Sequence, residues 1–287
     1  MSFSQKLINV QFNLANGKFE GGGNTATISG LRVSAHITNT GGASQSWLEA
    51  AIYGLPLSLM NQLSTVGTQS YKIYQNSITV EAGDTETGMT LVFGGEIVTA
   101  FVDAQSMPQV CFRVTARPGA FHAIKPVTPI SIRGSADVSG MMSGLAKQMG
   151  LGFENAGVTA KLANPYYAGT ALQQALTIAK HAGIDMIIER NTMAIVPPDK
   201  AREGEAVLIS PQTGMVGYPA FNQANVLVKA LFNPSVTYLG SIEVKSDLTP
   251  ANGKWKVNRL EYELETMVPQ GKWFMLMEGV QIGQTVP

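Results

Sequence analysis

The sequence has little charge, one cysteine and no long apolar run. Only 14% of its 287 residues are Asp, Glu, Lys or Arg, against about 25% in an ordinary soluble protein. The 20 basic and 20 acidic residues balance, and neither sign collects in a tail or stripe. Nucleic-acid binding requires a surplus of basic side chains, so this composition argues against nucleic-acid recognition. A weakly charged surface repels its neighbours little, which favours self-association.

A single cysteine, Cys111, excludes a disulfide within the chain. It lies in an alternating strand pattern, where we expect a small buried hydrophobe. Residues 1–10 lack the apolar segment of a signal peptide, and no stretch reaches the ~20 apolar residues of a membrane span. We therefore expect no membrane span and a reducing, aqueous site of synthesis.

Residues 1–126 carry the two-residue period of strands that bury one face. Turn pairs such as Asn16-Gly17 separate the apolar runs. The clearest runs are Ile8, Val10, Phe12 and Leu14; Leu31, Val33, Ala35 and Ile37; and Val110, Phe112 and Val114. These runs predict long antiparallel strands that close into a small barrel or sandwich.

Two features interrupt these strands. Pro56 predicts the first position of a short helix. The apolar stripe of that helix is Leu57, Met60 and Leu63. The Gly94-Gly95 pair lies inside a long strand over residues 90–102, and it predicts a bulge or sharp bend there.

The apolar period becomes helical after residue 127. A strand over residues 127–133 precedes the change, and Pro126 and Pro129 would hold it near a sheet edge. The helix that follows has its apolar positions at Val138, Met141, Met142, Leu145 and Met149. We expect Ser135 to cap this helix and Gly150 to end it.

A second helix and a hairpin complete this middle segment. Thr170 and Gln173 have the spacing of a capping box, and Gly183 is placed to end the helix. Two short apolar runs then flank Asn191-Thr192, which predicts a hairpin. The middle segment is therefore expected to be a compact α+β unit.

Strand patterns return after the linker candidate Pro197-Pro198. The apolar phase switches between Val257 and Leu260, which predicts another bulge. The predicted fold is mainly β with an α+β insertion. Its domains are residues 1–126, 127–203 and 204–287, with an exchange of strands between the first and last left open.

No motif predicts catalysis or ligand binding. His36, His122 and His181 are scattered without metal-ligand spacing. The glycine-rich stretch of residues 21–25 lacks the Gly-Lys-Ser/Thr ending of a phosphate loop, and no helix pattern follows it, so we expect a hairpin tip. The Gly-x-Ser-x-Gly motif of serine hydrolases is absent.

Three weaker candidates have simpler structural explanations. Glu261, Glu263 and Glu265 share one strand face and could hold an ion or a sugar, but they oppose an apolar face and are expected to face solvent. The methionines at 141, 142 and 149 are expected in the core. The aromatic residues Tyr166, Tyr167 and Trp273 could bind a sugar, but packing is the commoner role. We therefore predict no catalytic, cofactor-binding or metal-binding residue.

Several stretches, in order, resemble the baseplate hub family of contractile-tailed phages, including the Mu-like and late-control hub proteins. Residues 50–55 followed by the short helix resemble the strand-then-helix element of tail-tube-like domains. Residues 93–98 resemble a strand of the family, and residues 132–181 resemble its inserted α+β domain. Residues 209–219 resemble the segment that opens the second barrel.

This resemblance implies a structural virion protein and not an enzyme, with two tail-tube-like barrels flanking the α+β domain. It implies a homotrimeric ring that joins the tail tube to the central spike and adapts sixfold to threefold symmetry. The implied partners are tail tube protein, central spike and other baseplate proteins, with a tape measure protein left open. No cofactor is implied. The implied location is the virion baseplate, assembled in the host cytoplasm.

Two other classes stay open at this point. A tail-tip peptidoglycan hydrolase would need a zinc cluster, a Cys/His pair or spaced acids in a cleft. A secretion-system spike or sugar-binding module would need exposed aromatic side chains or a partner surface.

Overall fold

The computed structural model describes residues 4–42, 45–65, 76–105, 107–222 and 225–282. Within these residues the chain is mainly β with three α-helices, which confirms the predicted fold class. The chain forms two compact units. Unit 1 comprises residues 1–37, 47–124 and 263–273, and unit 2 comprises residues 38–46, 125–262 and 274–287.

The elements up to residue 124 are strands and one short helix. They are β1 (Lys6–Asn13), β2 (Thr25–Ile28), β3 (Val33–Asn39), β4 (Ser46–Tyr53), α1 (Leu57–Leu63), β5 (Ser77–Asp84), β6 (Gly88–Asp103) and β7 (Cys111–Arg117). In unit 1 the strands follow the order β3-β4-β7-β6-β5-β1-β2. This order gives every strand from β4 to β1 a hydrogen-bonded neighbour on both sides.

The predicted alternation accounts for the core of unit 1. Ile8, Val10 and Phe12 on β1 are buried, while the residues between them are half-buried. Phe12 meets Phe112 of β7 edge to face, with ring centroids 6.4 Å apart, in one of the arrangements that aromatic pairs prefer. Cys111 is buried and unpaired, as expected from its strand position.

The bulges of β6 flank the glycine pair and do not occur at it. Pairing with β5 skips Val92, and pairing with β7 skips Val98, while Gly94 and Gly95 pair regularly with β5. The prediction of a bulge at Gly94-Gly95 is therefore wrong in position. A Cβ on Gly95 would lie 2.7 Å from the carbonyl carbon of Arg117, so glycine is needed there for close approach of two backbones.

Helix α1 begins one residue later than predicted. Pro56 has extended backbone angles and precedes the helix, which starts at Leu57. Met60 and Leu63 are buried, but Leu57 is 63% exposed. The predicted stripe is therefore wrong at Leu57, because a helix of two turns presents only one face to the sheet.

The middle of the chain, in unit 2, contains two helices and short strands. The elements are β8 (Ile130–Ser131), β9 (Ser135–Asp137), α2 (Val138–Gln148), β10 (Gly152–Asn155), β11 (Lys161–Ala163), β12 (Tyr166–Tyr167), α3 (Ala171–Ala182), β13 (Asp185–Glu189) and β14 (Thr192–Val196). Both helices pack in one apolar core with β13 and β14. The predicted α+β character of this segment is present.

The helix caps support most of the sequence analysis. Thr170 and Gln173 form the predicted capping box, and Gly183 ends α3 with a left-handed backbone at φ 63°. Ser135 lies in β9 and does not cap α2. The cap is Asp137, whose carboxylate accepts the Gly140 N–H at 2.8 Å. The prediction for Ser135 is therefore wrong by two residues, because the strand β9 continues to Asp137 and the helix begins at Val138.

Two predicted strand boundaries also shift. The strand expected over residues 127–133 is reduced to β8, because Pro126 and Pro129 have no N–H with which to pair. The β13–β14 hairpin turns at Arg190-Asn191, whose φ values are 48° and 60°. Positive φ at both central residues is the requirement of the tight hairpin turn that matches strand twist.

The last third of the chain is again mostly strand. Its elements are β15 (Val207–Ile209), β16 (Ala220–Asn222), β17 (Asn225–Leu231), β18 (Ser241–Val244), β19 (Gly253–Thr266) and β20 (Trp273–Gln281). In unit 2 the order is β16-β17-β20-β19-β18-β15. At one end of this order β15 pairs with β18, and at the other the segment that leads into β16 bridges to β17 through Met215 and Ala230.

A buried lysine marks the predicted change of phase in β19. Lys256 is 3% exposed and lies between the buried Trp255 and Val257. Its Nζ donates to Asp185 Oδ2 at 2.6 Å and to the carbonyl oxygens of Pro197 and Pro198 at 3.1 and 3.2 Å. The ammonium therefore fixes the diproline segment, which cannot supply N–H groups of its own.

Arg202 holds the other end of the same segment. Its guanidinium donates to both oxygens of Glu154, at 2.9 and 2.5 Å, and also to Glu189. The hydrogen bond from Arg202 holds the pKa of Glu154 below its ordinary value of 4.5. Two cations, Lys256 and Arg202, thus hold residues 197–202 against the α+β part of unit 2.

We predict that Lys256→Met destabilises the chain by about 1.5–3 kcal/mol, because the Asp185 carboxylate and the carbonyls of Pro197 and Pro198 lose the donor that this buried ammonium supplies. Denaturant unfolding measures the change. Lys245→Met is the matched control, since Lys245 pairs with Glu243 while 61% exposed and should cost less than about 1 kcal/mol. Equal losses in the two variants would contradict the assignment.

We also predict a pH dependence from Glu154. Because its folded pKa is lowered, its stabilisation is present above 4.5 and is lost as pH falls through the folded value. Thermal unfolding should show wild type more stable than Glu154→Gln at about pH 6, with the gap closing toward about pH 3. Glu203→Gln, at an exposed position, is the control. A constant gap across this range would refute the role of Glu154.

Candidate functional site

The three histidines lie on different elements. His36 is in β3, His122 is in the 3-10 turn Phe121–Ala123, and His181 is in the last turn of α3. The Nδ1 of His181 lies 3.1 Å from the Tyr167 hydroxyl, so this ring has a structural partner. Among the residues that the structure describes, no group of three or more His, Cys, Asp or Glu side chains is placed to hold a metal ion.

Each carboxylate of the β19 row has a polar partner. Glu261 pairs with Arg259, and Glu263 pairs with Lys272 at 3.0 Å. Glu265 accepts the Lys272 N–H at 2.9 Å. The opposite positions, Leu260, Tyr262 and Leu264, are buried as predicted. A row already engaged in separate ion pairs and hydrogen bonds has the features of a half-buried strand face.

The other sequence candidates take structural positions. Residues 21–25 belong to the turn between β1 and β2 and lead into a strand, as expected of a hairpin tip. The methionines at 141, 142 and 149 are buried in the unit 2 core. Of the three aromatic residues considered for a sugar, Tyr167 and Trp273 are buried, and Tyr166 is 67% exposed. A stacking platform would therefore rest on Tyr166 alone.

Glu96 has a shifted pKa that no sequence motif indicated. Burial raises the pKa of Glu96, and such shifts often mark functional groups. Its Oε2 accepts the Ala120 N–H at 3.0 Å, so the carboxyl fastens the turn that follows β7. An acidic residue beside the Gly94-Gly95 pair was the available signal in the sequence.

A cavity of about 370 Å³ in unit 2 opens beside Arg202. Its ionisable lining groups are Glu154, Arg202, Glu203 and Glu205. A general acid needs a pKa raised toward the working pH, whereas the pKa of Glu154 is lowered by Arg202. Glu154 is therefore suited to ion pairing with Arg202 and not to general acid catalysis.

The most unusual surface of unit 2 is apolar. Six of the fifteen exposed large hydrophobic side chains among the described residues fall between Leu208 and Leu231. Five of them lie on β17 or on the segment that runs beside it, and we call them the edge patch: Val216, Tyr218, Phe221, Leu227 and Leu231. Phe221 pairs with Val226 and therefore lies on the opposite sheet face from Leu227 and Leu231. Exposed apolar patches of this kind commonly mark protein–protein contact sites.

The edge patch follows one strand edge. Val216 donates its N–H to the Lys229 carbonyl, and Ala220 pairs with Leu227, so residues 214–222 run along β17. This surface was not predicted from the sequence, where residues 209–219 contributed only to the resemblance to the baseplate hub family. The available signal was the longest run without Asp, Glu, Lys or Arg in the chain, from Ala206 to Val228.

No helix in the described ranges is long and apolar enough to cross a membrane. The site geometry thus consists of separately paired polar groups and one exposed apolar edge. Such a surface favours assembly with other proteins.

Solved structures similar to this chain include phage tail proteins and a component of a secretion system. The tail protein from Neisseria meningitidis MC58 has a TM-score of 0.65 at 9% identity, with 96% of this chain and 98% of that one covered. The 43 kDa tail protein of prophage MuSo2 from Shewanella oneidensis has a TM-score of 0.60 at 9% identity, covering 97% of both chains. These identities are low, so the likeness establishes the fold alone.

A third similar structure is the E. coli c3393 protein, a component of the type VI secretion system. Its TM-score is 0.53 at 8% identity, with 98% of this chain and 74% of that one covered. No curated protein sequence matches the chain.

A family model described as baseplate hub gp41 matches residues 7–274. The match runs through nearly the whole chain and confirms the resemblance seen in the sequence. The match supports the expectation of a structural baseplate protein of the virion. The chain belongs to the baseplate hub gp41 family.

Proposed function

We propose that this chain is the hub subunit that forms a homotrimeric ring between the tail tube and the central spike. The observation that carries the proposal is the family match over residues 7–274. The fold likeness to phage tail proteins along nearly their whole length supports it. Tail tube protein, central spike and other baseplate proteins are the proposed partners, with a tape measure protein as a further one.

The ring would adapt sixfold to threefold symmetry. In this proposal residues 1–126 and 204–287 supply two tube-like barrels, and residues 127–203 supply the α+β domain between them. Three subunits with two barrels each would present six similar modules to the tube and three copies to the spike.

A structural role without catalysis agrees with the side-chain arrangement. The carboxylates of the β19 row and the His181 ring have polar partners, and the lowered pKa of Glu154 is opposite to the need of a general acid. We therefore assign no catalytic, cofactor-binding or metal-binding residue. Assembly would take place in the host cytoplasm, where the buried, unpaired Cys111 stays reduced.

We predict that the purified chain forms a trimer of three times 30.6 kDa. Light scattering measures the mass, and electron microscopy should show threefold rings that bind tail tube and spike proteins. A monodisperse monomer at high concentration that forms no ring with those partners would contradict the proposal.

Incubation with purified peptidoglycan tests the absence of catalysis. We expect no clearing, with a known hydrolase as the positive control. If clearing occurs, the chain is an enzyme and the structural assignment is incomplete. Glu96→Gln then tests whether the carboxyl with the raised pKa is responsible.

A further inference from the structure

The edge patch lies beside a strand with one unpaired side. Among the described residues β16 pairs with β17 alone, and all three β16 residues are exposed. Natural proteins usually protect such edges with charged side chains, especially lysine, because an unpaired edge recruits another strand. Here the run from Ala206 to Val228 supplies no charge.

Unit 1 ends in a second unpaired strand of similar character. In the described part of the chain β2 pairs only with β1. Its residues are Thr25, Ala26, Thr27 and Ile28, and the surrounding run from Gly21 to Leu31 contains no charged residue. Thr25 and Thr27 are exposed, while Ala26 and Ile28 are half-buried.

The two edges are both uncharged and differ in the size of their side chains. Neither edge carries a charge that would have to be desolvated or that would repel the other. The small side chains of β2 leave room for the large ones of the edge patch, such as Tyr218 and Phe221. Phe221 is 47% exposed and Tyr218 is 68% exposed, so both have apolar surface left to bury.

We propose that β16 of one subunit pairs with β2 of a second copy of this chain. The inference rests on the proposed ring and names the surfaces that would close it. Two different edges on one chain make a head-to-tail contact, and such contacts generate rings when the rotation closes. A three-residue strand forms few main-chain hydrogen bonds, so burial of the edge patch supplies most of the affinity.

Paired cysteines test the contact directly. Thr27→Cys with Ala220→Cys, and Thr25→Cys with Asn222→Cys, sample an antiparallel pairing. The exchanged combinations, Thr25 with Ala220 and Thr27 with Asn222, sample a parallel one. Mild oxidation of one of these sets should give covalent dimers and trimers at least tenfold above either single variant. Native Cys111 is buried and serves as the common background.

Each of the other possible results contradicts the proposed pairing of β16 with β2. A trimer by light scattering without cross-links in any combination removes the proposed contact and leaves the ring proposal standing. A monomer without cross-links removes both. Efficient cross-linking of the Ala220→Cys variant alone indicates a twofold contact between identical edges, which also overturns the head-to-tail pairing.

A charge placed in the edge patch provides a second test. We expect Phe221→Lys to weaken trimer association at least tenfold while the circular dichroism spectrum stays as in wild type. Leu248→Lys is the matched control, because Leu248 is 43% exposed in unit 2 but lies outside the edge patch. Its trimer should be unchanged.

A folded Phe221→Lys variant that trimerises like wild type would overturn the inference. If that variant also fails to bind tail tube or spike protein, the edge patch belongs to one of those partners and not to a second copy.

Discussion

Main-chain hydrogen bonding between neighbouring strands is the constraint on which this structure depends. Strand β5 is bonded on one side by β1 and on the other by β6, so its backbone groups are satisfied within the chain. Strands β2 and β16 each have one bonded side in the described part of the fold. An open edge has either to be protected from other strands or to be used by them. The lack of charge at both edges favours pairing with a strand of another molecule.

Two of the charged side chains, Lys256 and Arg202, lie in the interior of unit 2. Lys256 and Arg202 are held among carbonyls and carboxylates of unit 2, where they fix the segment after β14. Burying these groups is costly unless every one is paired, so they specify one arrangement of the α+β part more than they add stability. Charge placed inside is unavailable to the surface, and the exposed edges are left neutral.

Local patterns in the sequence were enough to predict most strands and both longer helices. The burial of Ile8, Val10 and Phe12, and the cap at Thr170, depend on neighbours in sequence and were predicted correctly. Gly95 was misread because its requirement comes from the approach of Arg117 on another strand. Lys256 was missed for the same reason, since its partners, Asp185 and the two prolines, are distant in sequence. Long-range contacts of this kind leave no periodic signal.

Only part of the function could likewise be predicted from the sequence. The sequence indicated a structural hub through resemblance over many short stretches, and the family match agrees with it. The surface that would carry assembly was not evident from any motif. It became apparent only in the structure, where large apolar side chains between Leu208 and Leu231 are exposed to solvent.

Hydrogen exchange tests most directly whether the open edges are completed by other copies of the chain. Exchange is compared between the assembled wild-type trimer and the Phe221→Lys variant. We expect the amides of residues 25–28 and 220–222 that point away from β1 and β17 to exchange at least tenfold more slowly in the trimer, while those of β5 are unchanged. Equal exchange at both edges in the two states would contradict it.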